Sequence, residues 1–409
     1  MSALRRFAPP PLRQGGIAFG GVSDEHAPAT RVVTAGRAQQ GTSLAPALWA
    51  SSTWETNGLD DTRTRAVALR PDSFYSRYAN PTVRAFEEAI AELEGAEESM
   101  AFASGMGAIA STVLALCSAG DHVVLQRQIY AGTHAFIQGP CARLGIEHTL
   151  VDGTRPGAFA EAVRPGTTML VIAESPSNPR LDLVDLEDLG SITGPFTMVD
   201  ATFATPIGVR PIEYGVDLVV HSATKGIGGH NDSTLGVVSG ERELLDAIWA
   251  YSVLHGATAS PYDALNALRG LRTLAVRQQH QAATTLALAA ALADHPGVAA
   301  VHHPSLPDHP QHDLAARQLQ CPPTVFALDL AGGVDAARAM LDGLRLVRAA
   351  TSLGGPETLV CHSATSTHVS LPADEQLAIG ITPGLMRISV GLEDGDDILA
   401  DLRRAIPAN

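Results

Sequence analysis

The sequence predicts an α/β fold, in which a large, mostly parallel sheet is followed by a smaller α+β domain. The first observation is that short, nearly continuous apolar segments alternate with helical segments from residue 82 to residue 240. This alternation is typical of a parallel sheet whose two faces are covered by helices. The second observation is a long helix predicted at 270–295, beyond which further strand-like and helical segments indicate a separate, smaller domain.

The N-terminal arm comprises residues 1–75. It is rich in Pro, Gly, Ser and Thr and has few periodic segments, so it is expected to be irregular. A long irregular segment usually packs on another subunit or lines a site. Its start, MSALRRFAPPPLRQGG, has basic residues without a following apolar core, so no secretory signal is expected. The arm is followed by an α/β domain predicted at 76–268 and an α+β domain predicted at 269–409.

The α/β domain begins with a helix predicted over residues 82–97. Phe86, Ile90 and Leu93 recur at helical spacing on one face, and Gly95 is a residue type that ends helices. Segments rich in β-branched residues then predict strands. These segments are HVVLQ (122–126), TMLVIAE (168–174), FTMVD (196–200), VDLVVHS (216–222) and LGVVSG (235–240).

The C-terminal domain follows the long helix at 270–295. TVFALDL predicts a strand at 324–330, a helix is expected near 333–343, and LMRISVGLED at 385–394 predicts another strand-like segment. This mixture predicts the α+β character of the smaller domain.

Composition excludes several classes of function. The net charge of −15 repels phosphate, so neither nucleic acid nor an anionic membrane surface is an expected partner. No run of about 18 apolar residues is present, so no membrane span is expected, and a cytoplasmic location is predicted. The four cysteines lack a C-x-x-C spacing and are expected to be reduced and mostly buried.

Polar residues that carry chemistry follow two of the predicted strands. Asp200 ends FTMVD, and Lys225 follows VDLVVHS in a loop that also contains Ser222 and Thr224. SGMGAIAS (104–111) opens a helix whose N–H groups are suited to a phosphate. In an open α/β sheet, ligands bind at the carboxyl ends of the strands.

These groups together fit pyridoxal phosphate. A lysine amine forms a Schiff base with an aldehyde, a helix N-terminus with hydroxyl groups holds a phosphate, and a carboxylate pairs with a pyridinium nitrogen. The spacing alone leaves a second interpretation open, in which Lys225 lies in a surface loop and Asp200 ends an ordinary core strand.

A longer series of motifs resembles the trans-sulfuration (Cys/Met metabolism) family of pyridoxal phosphate enzymes. The resemblance runs from about Thr30 to the C-terminus. It is carried by FYSRYANPT (74–82), ASGMGAI (103–109), YAGTH (130–134), ESPSNP (174–179), VDATFATP (199–206), HSATKGIGGH (221–230), ATSLGGPETL (350–359) and GLMRISVGLED (384–394). It implies fold type I, with a seven-stranded sheet in the cofactor-binding domain at 76–268.

The resemblance also implies roles at the matching positions. Lys225 is expected to form the Schiff base and to move protons between Cα, Cβ and Cγ, while Asp200 pairs with the pyridine nitrogen. Tyr130 is expected to stack on the ring and to act on the leaving group, and Asn178 to contact the ring hydroxyl. The cofactor phosphate is expected to be held by Gly105, Met106, Ser222 and Thr224.

Other matching residues concern the substrate and a second subunit. Arg387 is expected to bind the substrate carboxylate, and Ser352 to contact the lysine or the substrate. Tyr75 and Arg77 match residues that reach the phosphate of the neighbouring subunit. The resemblance therefore implies an active site shared across a dimer interface, within a homotetramer that acts on a small amino acid.

The reaction itself depends on few residues. Thr351 is neutral where cystathionine enzymes tend to carry a glutamate, which favours a substrate without a distal ammonium. Gly132 stands where methionine γ-lyases carry a cysteine, which argues the other way, and Ala201 and the 251–261 segment are also atypical. We expect a γ-eliminating lyase that releases 2-oxobutanoate, ammonia and a thiol. The alternatives are a γ-replacing synthase or sulfhydrylase, and a β-lyase or specialised pathway enzyme.

Further alternatives lie outside this reaction class. A binding protein that retains the cofactor without chemistry is one, and an aminotransferase is another. The histidine-rich segment HHPSLPDHPQH (302–312) lacks zinc-ligand spacing, so no metal is expected. His230, in the loop after Lys225, is expected to be structural.

Overall fold

The computed structural model describes residues 26–37 and 43–408. Within them, seven strands form the large sheet: β1 (Glu98–Phe102), β2 (His122–Gln126), β3 (Glu147–Val151), β4 (Thr168–Glu174), β5 (Phe196–Asp200), β6 (Leu218–Ser222) and β7 (Gly236–Gly240). Their order is β1-β7-β6-β5-β4-β2-β3. The neighbours from β6 to β3 are parallel, and β7 is antiparallel to both β6 and β1. The predicted seven-stranded, mostly parallel sheet is confirmed.

A second sheet forms the smaller α+β unit. Its strands in the described residues are β8 (Val298–His302), β9 (Val325–Leu330), β10 (Arg348–Ala349), β11 (Leu359–His362) and β12 (Leu385–Ser389). Their order is β10-β11-β12-β9-β8, and all neighbours except β10 and β11 are antiparallel. The strand-like segment predicted at 385–394 is a strand only in its first half.

Both sheets are covered by helices. The α-helices of the described residues are α1 (Pro28–Thr34), α2 (Leu59–Val67), α3 (Pro81–Glu94), α4 (Gly105–Leu116), α5 (Ala131–Phe136), α6 (Ala158–Ala162), α7 (Leu186–Gly190), α8 (Thr205–Gly208), α9 (Arg242–His255), α10 (Pro261–Leu271), α11 (Leu274–Ala293), α12 (His312–Gln318), α13 (Gly333–Gly343), α14 (Ala373–Ala378) and α15 (Gly395–Ala405). A π-helical turn follows α5 at Ile137–Cys141, and 3₁₀ turns lie at Pro211–Tyr214 and Ser363–Thr365.

The large sheet is buried on both faces, which explains its continuous apolar strands. In β4, Leu170 and Ile172 pack in one core cluster, whereas Val171 and Ala173 pack in another on the opposite face. Successive side chains of a strand point to opposite faces, so both must be apolar when helices cover both. The carboxyl ends of the parallel strands therefore carry the polar residues of the sheet.

The helix α3 is defined by its caps and its apolar face. Asn80 accepts a hydrogen bond from the Thr82 N–H at 2.9 Å, and Gly95 ends the helix with a left-handed φ of 71°. Phe86, Ile90 and Leu93 are buried, as predicted from their spacing. The helix is three residues shorter at its C-terminal end than the segment predicted at 82–97, because Gly95 stops it.

Two predictions of secondary structure are wrong. The arm at 1–75 is not irregular throughout, because it contains α1 and α2. The helix predicted at 270–295 is two helices, since α10 ends at Leu271 and α11 begins at Leu274. The first residues of the arm, including the segment from which no secretory signal was expected, lie outside the described residues. The domain limits at 75 and 268 stay predictions.

The chain's other global features agree with its composition. The four cysteines are buried free thiols, as expected. No helix in the described ranges is both long and apolar enough to cross a membrane. In those same ranges no group of three His, Cys, Asp or Glu side chains is arranged to hold a metal ion.

Candidate active site

Lys225 lies in the loop that follows β6. Its Nζ donates a hydrogen bond to Oγ of Ser352 at 2.9 Å. Burial, reinforced by the positive charge of Arg387, lowers the pKa of the Lys225 amine. A lysine of lowered pKa has a larger neutral fraction, and the neutral amine is the nucleophile that attacks an aldehyde.

The Lys225 loop is held by Arg277, a buried residue of α11 that sequence reasoning missed. The guanidinium donates to the carbonyl oxygens of Gly226 at 2.9 Å, Gly270 at 2.8 Å and Ile227 at 3.3 Å. Burial lowers the pKa of Arg277 to about 10. No sequence pattern distinguishes this arginine from the exposed ones, because its partners are backbone carbonyls distant along the chain.

Ser352 joins the lysine to the predicted carboxylate clamp. Its carbonyl oxygen accepts a hydrogen bond from Arg387 at 2.9 Å, while its hydroxyl contacts Lys225. Its φ of 86° lies in the left-handed region, which is unfavourable for a residue other than glycine. Thr351, the preceding residue, is exposed.

Arg387 lies in β12 and is 3% exposed. It donates to Oδ1 of Asn178 at 2.9 Å as well as to Ser352, and its guanidinium lies over the Phe203 ring at 5.8 Å. Its Nε is buried and has no hydrogen-bond partner in the described part of the chain. A guanidinium has five N–H donors, so this arginine retains donors that suit a carboxylate.

Asp200 ends β5 and is 8% exposed. Its Oδ1 accepts hydrogen bonds from the Thr202 N–H at 3.0 Å and the Thr202 hydroxyl at 2.5 Å. Burial raises the pKa of Asp200, and these hydrogen bonds and the charge of His221 oppose that rise. A positive charge placed beside this carboxylate would stabilise its ionised form. A pyridinium nitrogen supplies such a charge.

The start of α4 packs against the end of β6. Ser104 caps the helix by accepting a hydrogen bond from the Gly107 N–H at 3.0 Å. A β-carbon at Gly105 would lie 2.8 Å from Cβ of Ser222, so only glycine permits this approach. The helix N-terminus and the Ser222 side chain therefore adjoin, in an arrangement that suits a phosphate.

Two other residues predicted to hold the phosphate have contacts of their own. The Thr224 hydroxyl contacts the backbone of Leu235, accepting from its N–H at 3.0 Å and donating to its carbonyl at 3.2 Å. The Met106 side chain packs against the hydrophobic core behind α4. A phosphate contact at Met106 is therefore expected from its backbone N–H rather than its side chain.

Tyr130 precedes α5, and its side chain is 41% exposed. Its backbone N–H donates to Oε2 of Glu174 at 2.8 Å. The ring lies against Gly132, where an added β-carbon would be 3.0 Å from Cζ. The glycine therefore determines where this ring can lie.

Tyr75 and Arg77 lie apart from this network in the contacts of the described residues. Arg77 donates to the Val253 carbonyl at 2.6 Å, near the end of α9. Its guanidinium lies 5.4 Å from the Tyr75 ring centre and 5.2 Å from that of Tyr78. These residues are anchored on their own subunit, and their role toward a neighbouring phosphate stays a prediction.

His230 has a backbone contact that agrees with a structural role. Its Nδ1 lies 2.8 Å from the Gly228 carbonyl oxygen, within the loop after Lys225. The histidine-rich segment also consists of structural contacts. His303 is fully buried, with Nε2 3.1 Å from the Pro323 carbonyl oxygen.

Glu174 is the site residue that the sequence interpretation left without a role. It ends β4 directly beside Asp200 of β5 and is 3% exposed. Burial and the charge of Asp200 raise the pKa of Glu174 well above its usual range. Its position in ESPSNP, at the end of a predicted strand, was the signal that could have identified it.

Pyridoxal phosphate requires three groups at one sheet edge, and this edge supplies them. They are an amine of lowered pKa, a buried carboxylate without a cation beside it, and a helix N-terminus close enough for a phosphate. The unpartnered Arg387 Nε adds a donor for the substrate. The fold and site thus define a pyridoxal phosphate-dependent enzyme of fold type I.

Comparison with known proteins identifies the family. The family model for Cys/Met metabolism PLP-dependent enzymes matches residues 29–407. O-succinylhomoserine sulfhydrylase from Pseudomonas aeruginosa is 40% identical over 365 residues, covering 88% of this chain and 90% of that protein. L-methionine gamma-lyase from Pseudomonas putida is 38% identical over 388 residues, covering 93% and 97%.

A solved structure agrees with both relatives. The crystal structure of cystathionine gamma synthase from Xanthomonas oryzae pv. oryzae, in complex with aminoacrylate and cysteine, superposes with a TM-score of 0.86. It is 35% identical, and the match covers 93% of this chain and 98% of that one. The chain belongs to the Cys/Met metabolism family of pyridoxal phosphate-dependent enzymes, and the predicted family, fold and cofactor are confirmed.

Proposed function

We propose that this enzyme is a carbon–sulfur lyase that performs γ-elimination on a methionine-like amino acid. With methionine, cleavage of the Cγ–S bond and addition of one water give methanethiol, 2-oxobutanoate and ammonia. The bound cofactor supplies the electron-accepting ring for the charge that develops at Cα. The relatives include both lyases and γ-replacing enzymes, so the choice rests on the residues of this chain.

Each residue of the network is assigned one task. Arg387 binds the substrate carboxylate through donors that Asn178 and Ser352 do not use. The Lys225 amine, with its lowered pKa, takes the proton from Cα and returns protons along the chain of the substrate. Asp200 stabilises the protonated pyridine nitrogen. The Tyr130 hydroxyl gives a proton to the leaving thiolate.

The observation that carries the choice of substrate is Thr351. It directly precedes Ser352, whose two oxygens contact Lys225 and Arg387, so residue 351 lies one residue from the substrate clamp. Threonine has no charge to pair with a distal ammonium. A substrate ammonium that leaves water without a partner loses several kcal/mol of solvation, at least in part. An uncharged distal group, as in methionine, avoids this cost.

Product analysis tests the proposal. The enzyme is incubated with methionine, homocysteine, cystathionine and O-acylhomoserines, with and without cysteine, and 2-oxobutanoate and thiols are measured. Methionine is expected to give a higher kcat/KM than cystathionine. Preference for cystathionine would contradict the proposal.

Substitution at Thr351 separates charge from size. Thr351→Glu is expected to shift the kcat/KM ratio toward cystathionine, because kcat/KM reports discrimination between transition states. Thr351→Gln, the control, has the size of glutamate without its charge and is expected to leave the ratio near that of the wild type. Equal shifts in both variants would assign the effect to side-chain volume instead.

A γ-replacing synthase or sulfhydrylase is the second candidate, and Gly132 favours it. A glycine beside Tyr130 leaves space into which the ring can move, and an incoming nucleophile needs space at the same end of the substrate. An O-acylhomoserine consumed together with cysteine or sulfide, without 2-oxobutanoate, would establish replacement as the reaction.

We also propose that the active site is shared between subunits of a homotetramer in the cytoplasm. Tyr75 is 43% exposed, and the nearby arm residues Leu44, Leu48 and Trp49 are also exposed. Packing of this arm on a second copy would bury these apolar side chains and bring Tyr75 and Arg77 to the neighbouring phosphate site.

A further inference from the structure

The ends of three neighbouring strands present side chains to one face of the large sheet. Glu174 pairs in register with Asp200, and both lie two residues beyond apolar side chains that pack against the core on the α4 side. Ser222 ends β6 on that same face and adjoins Gly105 of α4. Glu174 therefore belongs to the cofactor face, beside the carboxylate assigned to the pyridine nitrogen.

The two oxygens of Glu174 hold two different segments. Oε2 accepts a hydrogen bond from the backbone N–H of Tyr130 at 2.8 Å, and Oε1 accepts one from the backbone N–H of Asn178 at 2.6 Å. Tyr130 begins the α5 segment and Asn178 lies in the loop after β4, so one carboxylate joins two loops. These loops carry the residues assigned to the face and the hydroxyl of the cofactor ring.

We propose that Glu174 is a positioning residue of the cofactor site, whose carboxylate sets the position of Tyr130 relative to Asn178. It acts through these residues and does not itself touch the reacting atoms. The inference rests on the proposed assignment of Tyr130 and Asn178 to the cofactor.

The choice of glutamate at this position follows from the donors it meets. Two N–H groups need two acceptor oxygens, which a carboxylate provides and a glutamine amide does not. Burial and the charge of Asp200 oppose ionisation and raise the pKa of Glu174, whereas the two N–H groups and Arg387 favour the ionised form. An ionised carboxylate so close to Asp200 costs free energy, and the two loops that it fixes are the return for that cost.

The connection continues to the lysine. Asn178 accepts from Arg387, Arg387 donates to Ser352, and Ser352 accepts from Lys225. A shift of the Asn178 loop is therefore transmitted to the substrate clamp as well as to the ring. Releasing Glu174 is expected to change the environment of the cofactor and the rate of the reaction, and not only the stability of the fold.

Three variants of the holoenzyme test this role. Glu174→Gln retains size but loses one acceptor, and Glu174→Asp retains charge but withdraws the oxygens by one methylene. The control is Asp401→Asn, because Asp401 is also buried and accepts from the backbone N–H groups of Leu346 and Val347, each at 2.9 Å. Asp401 lies in α15 of the smaller domain, away from the site.

The measurements are the circular dichroism of the cofactor's visible band, the pH midpoint of that band, and kcat and KM. Both Glu174 variants are expected to weaken the dichroism, to shift the midpoint by about one pH unit and to lower kcat roughly tenfold. Asp401→Asn is expected to lower the thermal stability with unchanged dichroism and midpoint. Unchanged spectra in Glu174→Gln would overturn the inference. Wild-type behaviour of Glu174→Asp would also do so, because charge alone would then suffice.

Two further variants separate this inference from the proposed site. Tyr130→Phe and Asn178→Ala are measured in the same way. If neither changes the spectrum or the rate, the assignment of these residues to the cofactor fails. If they change both while the Glu174 variants do not, the site assignment stands and the positioning role of Glu174 is wrong.

Discussion

Replacing Gly132 by alanine is expected to slow catalysis without destabilising the protein. An added β-carbon would lie 3.0 Å from Cζ and 3.1 Å from Cδ1 of Tyr130, and closer still to Cε1. Restoring an ordinary carbon–carbon contact requires a ring shift on the order of 1 Å. The ring is 41% exposed, so it can move at little cost. Alanine within α5 is favoured over glycine by up to about 1 kcal/mol.

The consequence for the rate follows from the role assigned to Tyr130. A displacement of about 1 Å in a positioned group can cost roughly 10²-fold in rate. Because the ring moves relative to the leaving group rather than to the carboxylate clamp, kcat is expected to fall more than KM changes. The Gly132→Ala variant should thus unfold at or above the wild-type temperature and still turn over more slowly.

Steady-state kinetics and thermal unfolding of the holoenzyme check this prediction. The matched control is Gly139→Ala in the π-helical turn that follows α5, where an added β-carbon meets no atom within 4 Å. This control is expected to keep the wild-type kcat. If Gly132→Ala also keeps it, the ring position seen here has no bearing on catalysis, and the reasoning is refuted.

Three further predictions concern charge and assembly. Asp200→Asn should lower kcat roughly 10²–10³-fold at retained fold, and a loss below about twofold, measured by product formation, would contradict its role. Mixing the inactive Lys225→Ala and Arg77→Ala chains should restore activity through hybrid dimers with one intact site. No recovery after verified subunit exchange would contradict shared sites. Burial lowers the pKa of His303 from 6.5 to about 4, so the unfolded chain binds the proton first as the pH falls. Its contribution, on the order of 3 kcal/mol, is present above pH 6.5 and lost toward pH 4. His303→Gln should flatten the fall in Tm over that range, and an unchanged slope would argue against it.

The sheet was predictable from sequence because its burial leaves a pattern in every strand. Apolar residues on both faces of β4 and β5 require helices on both sides, and a polar residue then marks each carboxyl end. The helix α2 left no such pattern. It has no buried residue, and its acidic first turn and the ion pair between Asp61 and Arg65 at 2.9 Å stabilise it locally. A helix held by charges alone cannot be recognised from hydrophobic periodicity.

The site was predictable where a residue type is tied to its chemistry. A lysine for an imine and an aspartate for a pyridinium were identified from their places after strands and from the motifs around them. Residues that act through the backbone were not. Arg277 contacts three carbonyl oxygens and Glu174 contacts two N–H groups, and backbone partners leave no trace in the sequence of either residue.

The two strand-end carboxylates show how surroundings divide one residue type into two roles. Asp200 receives both of its Thr202 hydrogen bonds on Oδ1, whereas Glu174 uses one oxygen for each of two loops. Burial raises the pKa of both groups. Only Glu174, however, has each oxygen committed to a backbone donor. Asp200 is therefore the carboxylate that gains most from a cation placed beside it, and Glu174 is the one whose ionised form is already used to hold the structure. This difference assigns the pyridinium to Asp200 independently of the motif in which Asp200 occurs.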